Sequence, residues 1–232
     1  MAYLSDAALQ ALQMIVAMDR ELLAIIAVSL QVSLAALGCA ALLALPLGAG
    51  IALGRFPGRS LLITIVQTMM GFPTVVVGLI VYCLLSRNGP LSPLELLFTP
   101  GAMIIGQTVL AVPIIAALTI AALHSADPRI VLTARTLGAR PLRAIVTLLA
   151  EARFAMVAAV ITAFGRIIGE VGVSMMLGGN IRGYTRNIPT AIALETSKGD
   201  FSLGIALGLV LLAVALVVNL VLHTIQERGR VD

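Results

Sequence analysis

Charged residues are scarce in this sequence. Only 11% of its 232 residues are Asp, Glu, Lys or Arg, whereas a soluble domain usually has about 25%. Hydrophobic residues make up 60% of the chain, and the mean hydropathy is +1.09. Because so little polar surface cannot cover a water-soluble globule, the composition indicates an integral membrane protein whose main solvent is the lipid bilayer.

Several functional signatures are also missing. The two cysteines, Cys39 and Cys83, lie in apolar stretches outside any CxxC or Cys/His cluster, so we expect packing residues and neither disulfides nor a metal site. The chain lacks a GxxxxGK[ST] loop to hold ATP phosphates, so we expect no cofactor in this chain and no catalytic residues. Basic residues interleaved with aromatics are absent, which argues against a nucleic-acid partner.

What the sequence has instead is long apolar stretches, each meeting the roughly 20 residues that a spanning helix needs. Because these runs are continuous rather than alternating, they predict about five transmembrane helices and an all-α fold, not a β-barrel. The predicted spans are Leu22–Leu53, Leu61–Leu85, Ala102–Leu123, Ile145–Leu177 and Leu203–Ile225. Pro46 is expected to break the first span, and Pro73 and Pro113 predict kinks that serve either a transport pathway or simple packing.

Small residues four positions apart let membrane helices approach closely. The sequence has three such glycine pairs, Gly50/Gly54, Gly165/Gly169 and Gly204/Gly208. They predict a closely packed bundle.

The first 20 residues differ from the rest of the chain. Leu9, Leu12, Ile15 and Val16 fall on one helical face, and Asp6, Gln10, Gln13 and Arg20 fall on the other. This amphipathic pattern predicts that residues 1–20 lie at the membrane interface and that residues 21–232 form the transmembrane domain. The first ten residues lack a basic n-region and a cleavage site, so we expect the first apolar span to be retained.

Arginine is concentrated in one connection. The segment from His124 to Arg153, between the third and fourth spans, carries five arginines. Cytoplasmic loops of membrane proteins are enriched in Lys and Arg. The distribution therefore predicts that this segment and the C-terminus are cytoplasmic and that the N-terminus is outside.

The Arg-rich segment also has the signals of a short helix followed by a second one. Asp127-Pro128 is a typical helix start, Gly138 can end the helix in a left-handed conformation, and Arg140-Pro141 can begin the next helix. From the residues alone, two interpretations stay open. The helix is either a solvated connector or a docking element for a soluble partner.

The same segment resembles the EAA loop of importer-type ABC permeases. The ARTLGA motif matches the core of that loop, whereas Leu132 and Thr133 stand where the family often has Glu-Ala. The resemblance implies a type I importer permease fold with a cytoplasmic coupling helix, within residues 124–145, seated in a separate ATPase subunit. The implied coupling residues are Ala134, Arg135, Thr136, Leu137, Gly138, Ala139 and Arg140.

Two further stretches resemble oxyanion permeases for molybdate, tungstate and sulfate. One runs from Ala163 to Glu195, and the other, from Met69 to Leu123, is most similar to the tungstate branch through its PTVVVGL and LFTP elements. The resemblance implies tungstate as substrate, with molybdate, sulfate or vanadate as alternatives. It also implies a homodimer with two ATPase subunits that bind Mg-ATP, an external binding protein, and the plasma (inner) membrane of a bacterium or archaeon.

By the same resemblance, certain residues are expected on the translocation path and its gate. These are Arg166, Gly169, Glu170, Gly172 and Asn180. The i,i+4 spacing of Arg166 and Glu170 allows an ion pair on one helix face, which we favour over direct attraction of the oxyanion by Arg166.

The last outer loop is basic. Its Arg182, Arg186 and Lys198 are expected to dock the binding protein or attract the anion, unless they form only a solvated charged loop.

Two other classes of membrane protein are less consistent with the sequence. A self-contained secondary transporter or channel would need coupling-ion sites within the membrane, and Arg166 and Glu170 are the only charges that the sequence predicts to be clearly buried there. An intramembrane enzyme would need a catalytic motif, whereas His124 and His223 lie at span ends, outside any HExxH or GxSxG pattern.

Overall fold

The computed structural model describes residues 2–127 and 129–231, with side chains described for 9–127 and 129–227. In these ranges the regular elements are helical, which confirms the all-α prediction. The α-helices are α1 (Ala2–Val16), α2 (Arg20–Leu53), α3 (Arg59–Met70), α4 (Thr74–Leu85), α5 (Pro100–Ser125), α6 (Arg129–Thr136), α7 (Pro141–Glu151), α8 (Arg153–Ile168), α9 (Gly172–Gly178), α10 (Ile188–Lys198) and α11 (Phe201–Val231). A short 3-10 turn, Ser92–Leu94, precedes α5.

By length and apolar composition, three of these helices can cross a membrane in the part of the chain that the structure describes. They are α2, α5 and α11. Two bent pairs, α3 with α4 and α7 with α8, raise the number of crossings to five if each pair is one span. This agrees with the predicted number.

Only some of the prolines interrupt a helix where the sequence predicts a break or a kink. The predicted break at Pro46 is wrong, because α2 continues past it to Leu53. Pro113 likewise lies inside the continuous α5. Pro73 instead immediately precedes α4, which lies at 100° to α3. A proline fits this position because the start of a helix does not use its missing N–H.

The fourth predicted span, Ile145–Leu177, is not one helix. The chain bends by 56° between α7 and α8, around Ala152. It then leaves the helix after Ile168 and begins α9 at Gly172. The single-helix prediction was wrong because hydropathy reports how apolar a stretch is and contains no information on the direction of its backbone.

The core lies mainly between α2, α5 and α8. These helices contribute buried alanine and isoleucine side chains, among them Ala40, Ile115 and Ile167. The contacts of Thr108 with Ala36 and of Gly48 with Ala116 show that α2 and α5 run parallel. The bent α3–α4 pair therefore returns the chain between them.

The close approach of α2 and α5 occurs at Gly48, which is outside the predicted glycine pairs. A Cβ at Gly48 would lie 2.8 Å from the Ala116 carbonyl oxygen and 2.9 Å from the Thr119 Cβ. A Cβ at Gly50, by contrast, would meet nothing within 4 Å. Among the other predicted pairs, Gly165 lies against α11, with Val218 3.8 Å from its added Cβ.

The N-terminal helix α1 packs beside α11. Ala11 is buried in a cluster with Ala206 and Leu207, whereas Leu9 and Leu12 on the predicted apolar face are exposed. An interfacial location of residues 1–20 stays a prediction. Asp6, on the predicted polar face, lies outside the residues whose side chains are described.

The two cysteines are exposed rather than buried. Both Cys39 and Cys83 lie on the surface of the single chain, on α2 and α4. The expectation that they are packing residues within the fold was therefore wrong.

Candidate functional site

The Arg-rich segment forms the helix-turn-helix that the sequence predicts. The Asp127 carboxylate accepts a hydrogen bond of 2.8 Å from the Arg129 backbone N–H, which starts α6. At the other end, the N–H of Ala139 donates to the Ala134 carbonyl and that of Gly138 donates to the Arg135 carbonyl. Gly138 has φ +84°, so the predicted left-handed helix end is confirmed.

Apolar side chains of this turn point away from the protein. Leu137 is 82% exposed, and Leu132, Leu142 and Val146 are also exposed. Between α6 and α7 lies an open groove of about 600 Å³, lined by Ile130, Thr133, Ala134, Leu137, Ala139 and Thr147, with Asp127 and Arg129 at its edge. Exposed apolar surface rimmed by charge is typical of a site that another protein covers.

The predicted coupling residues lie together on this surface. Arg135, Thr136, Leu137, Gly138 and Arg140 are exposed, and Ala134 and Ala139 are partly buried at the groove. The turn therefore presents a compact surface of mixed apolar and basic character.

Arg59, at the start of α3, forms hydrogen bonds with the ends of α2 and α5 beside this segment. Its guanidinium donates to the Ile51 carbonyl at 2.9 Å and to the Ala52 carbonyl at 2.7 Å, at the C-terminus of α2. It also donates to Nε2 of His124, near the end of α5, at 2.6 Å. The local sequence carries no signal for the contact with His124, because the two residues are 65 positions apart.

Arg166 and Glu170 form the expected ion pair. The Nη1 atom of Arg166 lies 2.8 Å from Oε2 of Glu170. Glu170 lies beyond the end of α8, in the break before α9, and its other oxygen accepts a 2.9 Å hydrogen bond from the Gly172 backbone N–H. The carboxylate therefore joins the last turn of α8 to the first residue of α9.

The two partners of this pair differ in exposure. The side chain of Arg166 is 51% exposed and that of Glu170 only 6%. Gly169 forms the C-cap of α8, and Gly172 lies close to Val75 on α4. The half-exposed guanidinium of Arg166 thus lies next to the break between α8 and α9.

Asn180 belongs to a different group of contacts. It has φ +52°, and its amide donates to the Thr190 carbonyl at 3.4 Å, toward α10. Nearby, the Ser174 hydroxyl accepts hydrogen bonds from Gln107 and Asn187, and the Ser29 hydroxyl accepts one from the Ile188 backbone N–H. Sequence reasoning missed this buried polar network, because each member is a single polar residue in an apolar stretch.

The cations of the basic outer loop lie near the start of α2, and carboxylates neutralise most of their charge. Arg182 donates to the Glu21 carboxylate, and Lys198 donates to Glu195 at 2.9 Å. Arg186, only 11% exposed, lies 3.6 Å from Glu21 and 3.8 Å from Glu195. The hydrogen bond and negative charge of Glu21 raise the pKa of Arg182. Arg182 and Lys198 thus remain on the surface, whereas the side chain of Arg186 is largely covered and lies between two carboxylates.

Residues 44–229 of the sequence match the family described as "Binding-protein-dependent transport system inner membrane component". The chain belongs to this family. The permease is 38% identical to the tungstate uptake system permease protein TupB of Peptoclostridium acidaminophilum, over 98% of this chain and 100% of that protein. It is 46% identical to the TupB protein of Campylobacter jejuni, over 70% of this chain and 68% of the relative.

A third relative is a probable anion ABC transporter permease protein of Haloferax volcanii. The two are 43% identical over 85% of this chain and 88% of the relative. Sulfate and molybdenum permeases are more distant, at 28% identity. These relatives are permease subunits rather than enzymes, which places this chain among the multi-pass membrane components of ABC transporters.

Proposed function

We propose that this permease forms the transmembrane pathway of an ATP-driven importer for a tetrahedral oxyanion, and that the oxyanion is tungstate. The observation that carries the proposal is the similarity along the whole chain to a tungstate permease, at 38% identity. A sulfate permease and a molybdenum permease are less similar in sequence, at 28% identity. Molybdate, sulfate and vanadate are the competing substrates.

The proposed assembly has two copies of the permease around one pathway. Two ATPase subunits, which bind Mg-ATP, dock on the turn between α6 and α7, and an extracytoplasmic binding protein docks near Arg182 and Lys198. This places the α6–α7 turn and the C-terminus in the cytoplasm and the N-terminus outside. The exposed leucines of the turn support a protein partner there, because such surface is costly in water.

In this scheme, force passes along α7 and α8. Movement of α6 by the ATPase is transmitted through α7 to α8, whose last turn carries Arg166. The break at 169–171 then allows α9 to change its angle. ATP drives this change only because it binds the two conformations with different affinity.

Arg166 and Glu170 have distinct roles in the proposal. Glu170 holds the break between α8 and α9 in one arrangement through its two contacts. Arg166 balances the Glu170 charge and has enough exposed guanidinium to attract a passing anion. Because the neighbouring carboxylate lowers the net charge of the site, a dianion is not held too tightly for release.

Uptake by the reconstituted complex tests the substrate. Proteoliposomes with the permease and its ATPase, supplied with binding protein outside and ATP inside, are given radiolabelled tungstate. We expect unlabelled tungstate to suppress uptake at a lower concentration than molybdate, sulfate or vanadate does. Stronger suppression by one of the other three anions would assign that anion as the substrate and contradict the tungstate proposal.

A further inference from the structure

We propose that Glu21 serves as an intramolecular substitute for a carboxylate of the binding protein, so that docking exchanges Glu21 for that carboxylate on Arg182. This inference rests on the proposed function, because it assumes a binding protein on this side of the permease. It specifies the chemical groups of the docking contact and identifies Glu21 as the residue that competes with the binding protein for Arg182. The partner surface is accordingly acidic.

The outer and inner parts of the cation cluster differ in how far they are exposed to water. The side chain of Arg182 is 71% exposed, whereas those of Arg186 and Glu195 are only 11% and 7% exposed. An exposed ion pair contributes little free energy, because water solvates both groups well when they separate. Breaking a buried pair is costly, since it leaves a charge without compensation. The Glu21–Arg182 contact is therefore the exchangeable part, and Arg186–Glu195 is the fixed part.

The negative charge of Glu21 remains compensated after the exchange. Nη1 of Arg186 lies 3.6 Å from Oε1 of Glu21, while Arg182 contacts the other oxygen, Oε2. When Arg182 turns to a partner, Glu21 keeps a cation next to it. The exchange thus leaves no bare carboxylate behind.

The cluster also offers a partner positive charge and hydrogen-bond donors. Three cations, Arg182, Arg186 and Lys198, face two carboxylates, Glu21 and Glu195, so the cluster has a positive excess. A guanidinium has five N–H donors and binds a carboxylate through two parallel hydrogen bonds. An acidic side chain on the partner matches both the charge and this geometry.

The exchange would have a mechanical consequence. Glu21 lies in the first turn of α2, and Arg182 lies in the loop that follows α9, 161 residues later. Their contact connects a long core helix to the segment next to the α8–α9 break. Docking would therefore loosen this connection on the outer side.

The test measures docking of the tungstate-loaded binding protein of the same host to the permease–ATPase complex in nanodiscs. In Glu21→Gln, Arg182 no longer has to leave an ion pair, so docking should tighten by about twofold to fivefold. Arg182→Gln should weaken docking, and Glu21→Gln should have no further effect in that background. Glu21→Asp, with a shorter carboxylate, should tighten docking to an intermediate degree.

Two variants control for net charge alone. Glu95→Gln and Arg87→Gln make the same charge changes on another exposed loop of the predicted outer side. If they change docking as much as Glu21→Gln and Arg182→Gln do, the exchange is wrong and only long-range attraction operates. Weaker docking of Glu21→Gln would also overturn the proposal, because Glu21 would then position Arg182 for the partner.

The outcomes separate this inference from the proposed function. If the wild-type complex docks the binding protein and imports tungstate, but the Glu21 and Arg182 variants dock normally, only the exchange fails. If the wild-type complex neither docks the binding protein nor imports tungstate, the proposed function fails with it.

Discussion

At the scale of single residues, the Glu170 carboxylate makes contacts on both sides of a chain break. One oxygen pairs with Arg166 on α8, and the other accepts from the N–H of Gly172 on α9. The i,i+4 spacing predicted the first contact, because it depends only on local sequence. It did not predict the second, since the spacing assumed that the helix continues through Glu170.

Because of this geometry, the effects of substituting Arg166 and Glu170 on stability should not be additive. Arg166→Gln should destabilise the permease by about 1–2 kcal/mol, less than the about 3–5 kcal/mol of a fully buried pair, because Arg166 is half exposed. Adding Glu170→Gln should recover most of this loss, since the amide oxygen still accepts from Gly172 and no charge is stranded. The midpoint of thermal unfolding in detergent measures both effects.

The control for this pair is Arg55→Gln, which removes an exposed arginine in the loop before α3 and should leave the midpoint unchanged. A double variant less stable than Arg166→Gln alone would show that the Glu170 charge contributes through partners other than Arg166.

At the scale of elements, the sequence predicted the α6–α7 turn accurately and the fourth span poorly. The turn is specified by local signals, namely Asp127 at the start of α6, Gly138 at its end and Pro141 at the start of α7. The bends at Ala152 and at Gly169 depend on how distant helices pack. For the same reason the helix contact at Gly48 could not be found from glycine spacing.

Two glycines on α2 provide a test of the helix packing. Gly48→Ala should destabilise the permease by about 1–3 kcal/mol, because its Cβ would clash with the α5 backbone at Ala116. Gly50→Ala should be neutral or stabilise by up to about 1 kcal/mol, since alanine favours helix and the space there is open. The midpoint of thermal unfolding should therefore fall in Gly48→Ala and stay unchanged or rise in Gly50→Ala, and equal shifts would contradict the close α2–α5 packing at Gly48.

The left-handed conformation of Gly138 leads to a prediction about coupling. Gly138→Val should strain the turn by about 1–3 kcal/mol because of the positive φ, although the space around its Cβ is open. We expect ATP-driven uptake to fall roughly tenfold and ATP hydrolysis to become uncoupled from uptake. Gly138→Asn should retain most uptake, because asparagine tolerates positive φ. Uptake and binding-protein-stimulated ATPase activity are measured together in proteoliposomes.

Gly199→Val is the matched control for Gly138→Val. Gly199 has φ +81° and open space around its Cβ, but it ends α10 instead of α6. Normal uptake and normal stimulated hydrolysis in Gly138→Val would show that the turn does not transmit force.

At the scale of the whole molecule, composition and hydropathy predicted the class and the number of crossings, because both follow from the total apolar surface. Contacts between distant parts of the chain were beyond such reasoning. The pairing of Glu21 with Arg182 and of Arg59 with His124 joins residues 161 and 65 positions apart. The local sequence around these four residues carries no signal of their partners, because the fold alone brings them together.

The proposed function requires that this chain moves its substrate only when an external ATPase acts on the α6–α7 turn. The most direct measurement compares oxyanion uptake into two kinds of proteoliposome, both with binding protein outside. One contains the permease, its ATPase and internal ATP, and the other contains the permease alone under an imposed proton gradient. We expect uptake only in the first kind, and concentrative uptake in the second would show that the permease works without the ATPase.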